Sequence, residues 1–217
     1  MNSDSERDNQ IGARRQASSF GRIERLPPLL MMGYLGMLAI AIMFAILMAA
    51  YVQARVNSGV PTGLYALPRY FSLSTIVLLI SSYTMAQAPR LYAQDDLPSL
   101  ARCLAATLLL GCVFAGLQVL GWRELLQNGV AFRGEGSRSS GQFLYLISGL
   151  HVAHLLGGVV LLLAVLLRAA HAERDAVRTL LFIRNPYYRR LLRLLGTYWH
   201  FIDVLWVALF GVFLFMY

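Results

Sequence analysis

The chain has 217 residues, of which 58% are apolar and only 14% are charged, and its mean hydropathy is +0.58. This composition excludes an ordinary soluble globular protein and indicates several membrane spans. The 19 basic residues are all arginine, and the net charge is +8. Because the arginines lie between apolar runs and not along one exposed face, membrane topology explains the charge and nucleic-acid binding is not expected.

The amino-terminal segment 1–28 is polar and includes four acidic residues. A mitochondrial targeting segment is poor in acidic residues, and a cleaved signal peptide has a shorter apolar run that begins earlier. We therefore expect a disordered cytoplasmic tail over 1–28, followed by one membrane domain over 29–217.

Five stretches approach the ~20 apolar residues that a helix needs to cross a bilayer. They predict an all-α, polytopic membrane bundle of five transmembrane helices. The second stretch is the weakest because it contains many hydroxyl side chains, and we expect it to pack inside the bundle and not against lipid. The predicted spans are 29–52, 70–88, 103–122, 143–167 and 196–217.

The arginine distribution predicts the direction of these spans. Fourteen of the 19 arginines fall in the tail, the second loop and the fourth loop. The positive-inside rule then places the N-terminus inside and the C-terminus outside. The basic fourth loop has two interpretations, a topology signal alone or contact with anionic lipid headgroups. The headgroup-contact candidates are Arg184, Arg189, Arg190 and Arg193.

Two histidines, His151 and His154, lie three residues apart in the fourth span and so share one broad helical face. They could be metal or haem ligands, a proton relay, or structural hydrogen-bond donors and lipid contacts. A metal site needs three or four ligands, and the chain has only four histidines and two cysteines, so the structural role is favoured. Nearby glycines allow close helix packing, and the candidates are Gly149, Gly157 and Gly158.

The fifth span carries His200 and Asp203 between two tryptophans, Trp199 and Trp206. A carboxylate inside a membrane helix costs ~2.5–3.5 kcal/mol on insertion scales, so it must face protein or water and find a partner. We expect this helix to pack against another, with Asp203 paired to His200 or to Arg193. A buried packing cluster is favoured over a proton relay, because one carboxylate makes no chain across the bilayer.

Several chemical signatures are missing from the sequence. It has no CxxCH for covalent haem, no copper electron-transfer set, no Gly-rich phosphate loop and no credible Ser/His/Asp set. Cys103 and Cys112 fit no redox or zinc spacing. We therefore expect no catalytic centre and no metal bound by this chain.

Three blocks of sequence resemble cytochrome c oxidase subunit III, in the haem-copper oxidase subunit III-like family. They are YWHFID at 198–203 followed by Trp206, SGLHVAHLLGG at 148–158, and GLQVLGW at 116–122. The order and spacing of the blocks match, and the five spans resemble the short bacterial form that lacks the first two helices of longer members.

The resemblance implies a non-catalytic subunit of a respiratory oxidase in a bacterial inner membrane. In that family, haem and copper belong to the catalytic subunit I, where oxygen reduction is coupled to proton translocation. Subunit III packs against subunit I and other subunits, binds phospholipid and supports proton uptake during aerobic electron transport.

The chain departs from the family at Ala41, which stands where a buried Glu is usual, so any role of that carboxylate is in doubt here. One alternative partner is a nitric oxide reductase, which short subunit III-like proteins also accompany. Another alternative is a stand-alone proton channel or transporter, but these often show internal repeats, and none is visible here.

Overall fold

The computed structural model describes residues 28–57, 69–127 and 139–216, and these form six helices and no strand. Five of the helices are long and apolar enough to cross a membrane, so the predicted five-span, all-α fold is confirmed. The predicted tail lies outside the described residues except for Pro28, which begins α1. The helices are α1 (Pro28–Asn57), α2 (Arg69–Ala93), α3 (Leu97–Gln127), α4 (Ser139–Ala172), α5 (Ala176–Arg184) and α6 (Pro186–Met216).

The fourth loop is largely helical, which the sequence reading did not predict. Asp175 caps α5 by accepting a bond from the Val177 amide, and Asn185 accepts a 2.9 Å bond from the Tyr187 amide at the start of α6. The last long helix therefore begins at Pro186 and not at 196. Hydropathy detects only the apolar part of a helix, whereas arginine is a good helix former and extends it into the polar region.

Helices α2 and α3 form an antiparallel pair joined by a tight turn. Asp95 adopts a left-handed conformation with φ of 59°, and Asp96 caps α3 by accepting a 3.0 Å bond from the Ser99 amide. Hydrogen bonds from the side chain and the backbone of Ser99 lower the pKa of the Asp96 carboxyl. The cap is therefore charged at neutral pH, where it also favours the helix start electrostatically.

Helix α2 buries a face that carries hydroxyl side chains and exposes an aliphatic one. In α2, Ser74 and Ser81 are fully buried, while Ile76 and Leu79 are exposed. The prediction that this span packs inside the bundle is therefore correct for its hydroxyl face and wrong for the opposite face. This arrangement suits a bilayer, where the hydrocarbon solvates apolar side chains and the bundle must satisfy the polar ones.

Helix α6 packs against α1, α2 and α4. It runs parallel to α1, because residue numbers rise together along the contacts Gly33 with Leu194 and Tyr51 with Phe213. At the far end, the buried Arg55 guanidinium donates a 2.7 Å bond to the carbonyl oxygen of Met216. The cation thus satisfies an otherwise free carbonyl at the C-terminus of α6.

Candidate functional site: the polar face between two helices

The polar side chains of α6 meet the hydroxyl face of α2. Three hydrogen bonds join the helices, two of them donated by tryptophan indoles at 3.0 Å and one shared with a histidine ring at 2.8 Å. The two helices are antiparallel, so the bonds near residue 200 of α6 use higher-numbered α2 residues than the bond at Trp206. The pairs are Trp199 with Ser81, His200 with Ser82, and Trp206 with Thr75.

Asp203 lies inside this contact with 3% of its surface exposed. Neither carboxylate oxygen has a hydrogen-bond partner among the described residues, although the Ser82 side chain is close enough to interact with the carboxyl group. The expected pairing with His200 or Arg193 is wrong. The His200 Nδ1 atom bonds to Ser82 instead, and Arg193 precedes Asp203 by ten residues, or roughly 15 Å of helix rise.

His151 is fully buried, and neither ring nitrogen has a hydrogen-bond partner in the described part of the chain. The ring lies edge-on to Phe44 and Phe114 and is tilted over Trp206, with ring centroids 4.9 Å apart. The imidazole is therefore enclosed by aromatic rings. Among the described residues, no group of three His, Cys, Asp or Glu side chains is placed to hold a metal ion.

His154 has a different environment, although it lies only one turn away. Its Nδ1 atom is 2.7 Å from the carbonyl oxygen of Leu150, and its own carbonyl oxygen accepts a 2.8 Å bond from the Tyr198 hydroxyl. The Phe44 ring lies edge-on to both histidines, with its centroid 6.3 Å from that of His151 and 5.7 Å from that of His154. The two rings therefore share a neighbour, but among the described residues only the His154 ring has a hydrogen-bond partner.

The three candidate glycines of α4 also differ. A Cβ atom at Gly158 would lie 2.9 Å from Tyr198 Cε1, so this position requires a glycine for the close approach of α6. At Gly149 the nearest atom is 3.9 Å away, on Trp122, which is ordinary contact. Nothing lies within 4 Å of Gly157, so its predicted packing role is not met among the described residues.

A second polar network joins α2 to α3 and was not anticipated from the sequence. Gln118 Nε2 donates a 2.7 Å bond to Ser74 Oγ, and the hydroxyls of Thr84 and Thr107 lie 2.9 Å apart. The seven-residue spacing of Ser74 and Ser81 could have shown one buried face. The sequence alone did not show which helix would supply the partners.

The headgroup candidates lie at one end of the bundle, beside two clefts. Arg184 ends α5 and lines a cleft of about 900 Å³, together with Arg168 and Arg178. Arg189 and Arg193 lie in the first turns of α6 and line a cleft of about 350 Å³. Arg190 is exposed and lines neither cleft.

Comparison with known proteins extends the match beyond these motifs. A family model described as cytochrome c oxidase subunit III matches residues 32–217. The chain is 30% identical over 176 residues to a "Probable cytochrome c oxidase subunit 3" of Mycobacterium tuberculosis, covering 80% of each chain. It is 30% identical over 174 residues to the cytochrome c oxidase subunit 3 of Bacillus sp. PS3, covering 79% of this chain and 77% of that one. The Corynebacterium diphtheriae subunit 3 is 28% identical over 172 residues, with 77% and 78% covered.

Proposed function

Because the chain belongs to the cytochrome c oxidase subunit III family, we propose that it packs against the catalytic subunit I of a haem-copper oxidase in a bacterial inner membrane. Membership of the family makes it an integral membrane protein and part of a multi-subunit oxidase complex. We propose further that haem and copper reside in partner subunits, and that this subunit supports oxygen reduction coupled to proton translocation.

One observation carries this proposal. The family motif of α6 is directed into its own bundle, where Trp199 and Trp206 donate to α2 hydroxyls. The motif therefore builds a rigid scaffold and does not line an open cavity. A scaffold with aliphatic outer faces acts through the helices and lipids that cover it.

A direct role of this chain in proton transfer has support only from a small group of side chains. His200, Ser82 and Asp203 are neighbours, and each can bind or pass a proton. They occupy about one helical turn and so span little of the bilayer. We propose that Asp203 supports turnover through the packing of α6, and that protons cross the membrane in the partner subunit.

Phospholipid binding is the second part of the proposal, and α5 supports it. Val177, Leu180 and Leu181 form an exposed apolar stripe on this short helix. Arg178 and Arg184 lie on the same helix, beside the cleft of about 900 Å³. A short amphipathic helix with arginines and an apolar face is typical of the bilayer interface, where it contacts acyl chains and anionic headgroups together.

Purification of the full chain with an affinity tag in mild detergent tests the proposed partner. We expect a complex that includes a haem- and copper-binding chain, has an oxidase spectrum and consumes oxygen. The proposal fails if the chain is recovered alone, or if its complex reduces nitric oxide and not oxygen. The second result would establish the nitric oxide reductase alternative.

A further inference from the structure

We propose that the cleft lined by Arg189 and Arg193 is a binding site for a phosphate group. This inference deepens the proposed phospholipid role and rests on it for the setting of the site in a membrane complex. The cleft has a volume of about 350 Å³ and lies where the end of α2 meets the start of α6. It is separate from the larger cleft beside α5, and the two share no lining residue.

The walls of the cleft are held together by Tyr92 near the end of α2. Its hydroxyl donates to the carbonyl oxygen of Ile183 at 2.8 Å, and the carbonyl oxygens of Phe182 and Asn185 lie at 3.1 and 3.3 Å. These carbonyls belong to the elbow between α5 and α6. Tyr92 therefore fixes the elbow against α2, and the cleft is formed before any ligand arrives.

The two arginine side chains are available to a ligand. Arg189 and Arg193 are one helical turn apart on α6, both are exposed, and neither guanidinium has a hydrogen bond or ion pair with a described residue. Asp95 is the acidic side chain that lines the same cleft, and it forms no ion pair with either arginine. Two cations and one anion leave a net positive charge, so the cleft attracts an anion.

Phosphate is the anion that this geometry fits. Guanidinium groups bind phosphate oxygens in pairs, with charge-assisted hydrogen bonds that are stronger than neutral ones. The apolar part of the lining, which includes Pro89 and Leu192, can cover the organic part of a phosphate ester. Since Arg193 lies just before the apolar part of α6, the cleft is at the level of the headgroups. The phosphate could come from an anionic phospholipid or from free phosphate.

The test compares two variants of the intact complex. Arg189→Gln with Arg193→Gln removes both cations from the cleft, and Arg190→Gln is the matched control because it removes a neighbouring charge that lines neither cleft. Native mass spectrometry counts the phospholipids that stay bound. Equilibrium dialysis of the delipidated complex with labelled inorganic phosphate measures binding of the free anion. If the double variant fails to assemble, each single Arg→Gln variant is compared with Arg190→Gln in the same way.

We expect the double variant to bind phosphate at least about tenfold more weakly than the control, since each lost charge-assisted bond is worth about a factor of ten or more. If the double variant loses a phospholipid that the Arg190→Gln control keeps, the ligand is a lipid headgroup. If the double variant keeps its phospholipids but binds less inorganic phosphate than the control, the ligand is the free anion. If the double variant and the control bind the same amounts of phospholipid and of phosphate, the proposed binding site is wrong. Co-purification with the haem-binding chain is read separately, so failure of this inference leaves the proposed partner standing.

Discussion

The indole of Trp206 shows how single residues hold the core together. It is fully buried, donates a 3.0 Å hydrogen bond to Thr75 Oγ1, and contacts the rings of Phe71, Phe114 and His151. The ring contacts supply apolar packing, and the N–H bond fixes the register of α6 on α2. Since lipid cannot replace a lost hydrogen bond, both parts matter in a membrane.

Trp206→Phe should lower the stability of the protein, because the smaller ring buries less apolar surface and cannot donate the hydrogen bond to Thr75 Oγ1. A double-mutant cycle with Thr75→Val isolates the bond, because Thr75 Oγ1 also donates to its own helix at the Phe71 carbonyl. We expect a coupling energy of about 0.6 kcal/mol, the average for bonds between membrane helices. Thermal unfolding of the wild type, the two single variants and the double variant in one detergent measures this coupling energy. If the destabilisation of the double variant equals the sum of the two single effects, the hydrogen bond contributes nothing.

At the scale of the helices, close contacts decide which small residues are required. Gly158 lies under the Tyr198 ring, whose hydroxyl is held by the His154 carbonyl, so the ring cannot move away freely. Gly157 is the next residue and has open space on its side. Adjacent glycines in one helix therefore have opposite expected tolerance for a side chain.

Gly158→Ala should lower the unfolding temperature, because the new methyl group would lie 2.9 Å from Tyr198 Cε1. Gly157→Ala is the matched control and should keep or raise it, because alanine stabilises a helix interior by about 0.5–1 kcal/mol relative to glycine. Both are measured by thermal unfolding in the same detergent. Equal shifts in the two variants would show that α4 and α6 are not in this close contact.

At the scale of the whole molecule, the bundle brings arginines of the second and fourth loops to the same end. The cleft between the end of α2 and the start of α6 puts Arg189 and Arg193 beside the α2–α3 turn. The fold fixes which helix ends lie together, and the arginine bias then predicts which side of the membrane they face.

A cysteine at position 184 tests that orientation. In a background with Cys103→Ser and Cys112→Ser, Arg184→Cys should resist a membrane-impermeant maleimide in intact cells and react after permeabilisation. Gln127→Cys, at the exposed end of α3, should react from outside. Labelling of position 184 and not of 127 in intact cells would reverse the predicted topology.

Much of the site could be foreseen from composition and spacing, and some of it could not. The motif residues Trp199, His200, Asp203 and Trp206 all lie on the α6 face that meets its neighbours. Spacing along the chain could not pair Trp199 with Ser81, because these residues are 118 positions apart and meet only where α2 and α6 pack together. The same limit explains the wrong partner for Asp203, since spacing within one helix cannot show which side chains an adjacent helix offers.

The amino-acid sequence by itself determined the number of spans, the all-α class and the family, because apolar length and local motifs are properties of contiguous residues. Only the tertiary structure decided that α2 turns its hydroxyls inward and its aliphatic face outward, that the His154 ring has a hydrogen-bond partner where the His151 ring has none among the described residues, and that the basic loop folds into α5 and the start of α6. These features depend on contacts between helices, which are set by packing geometry and by the cost of leaving polar groups without partners away from water.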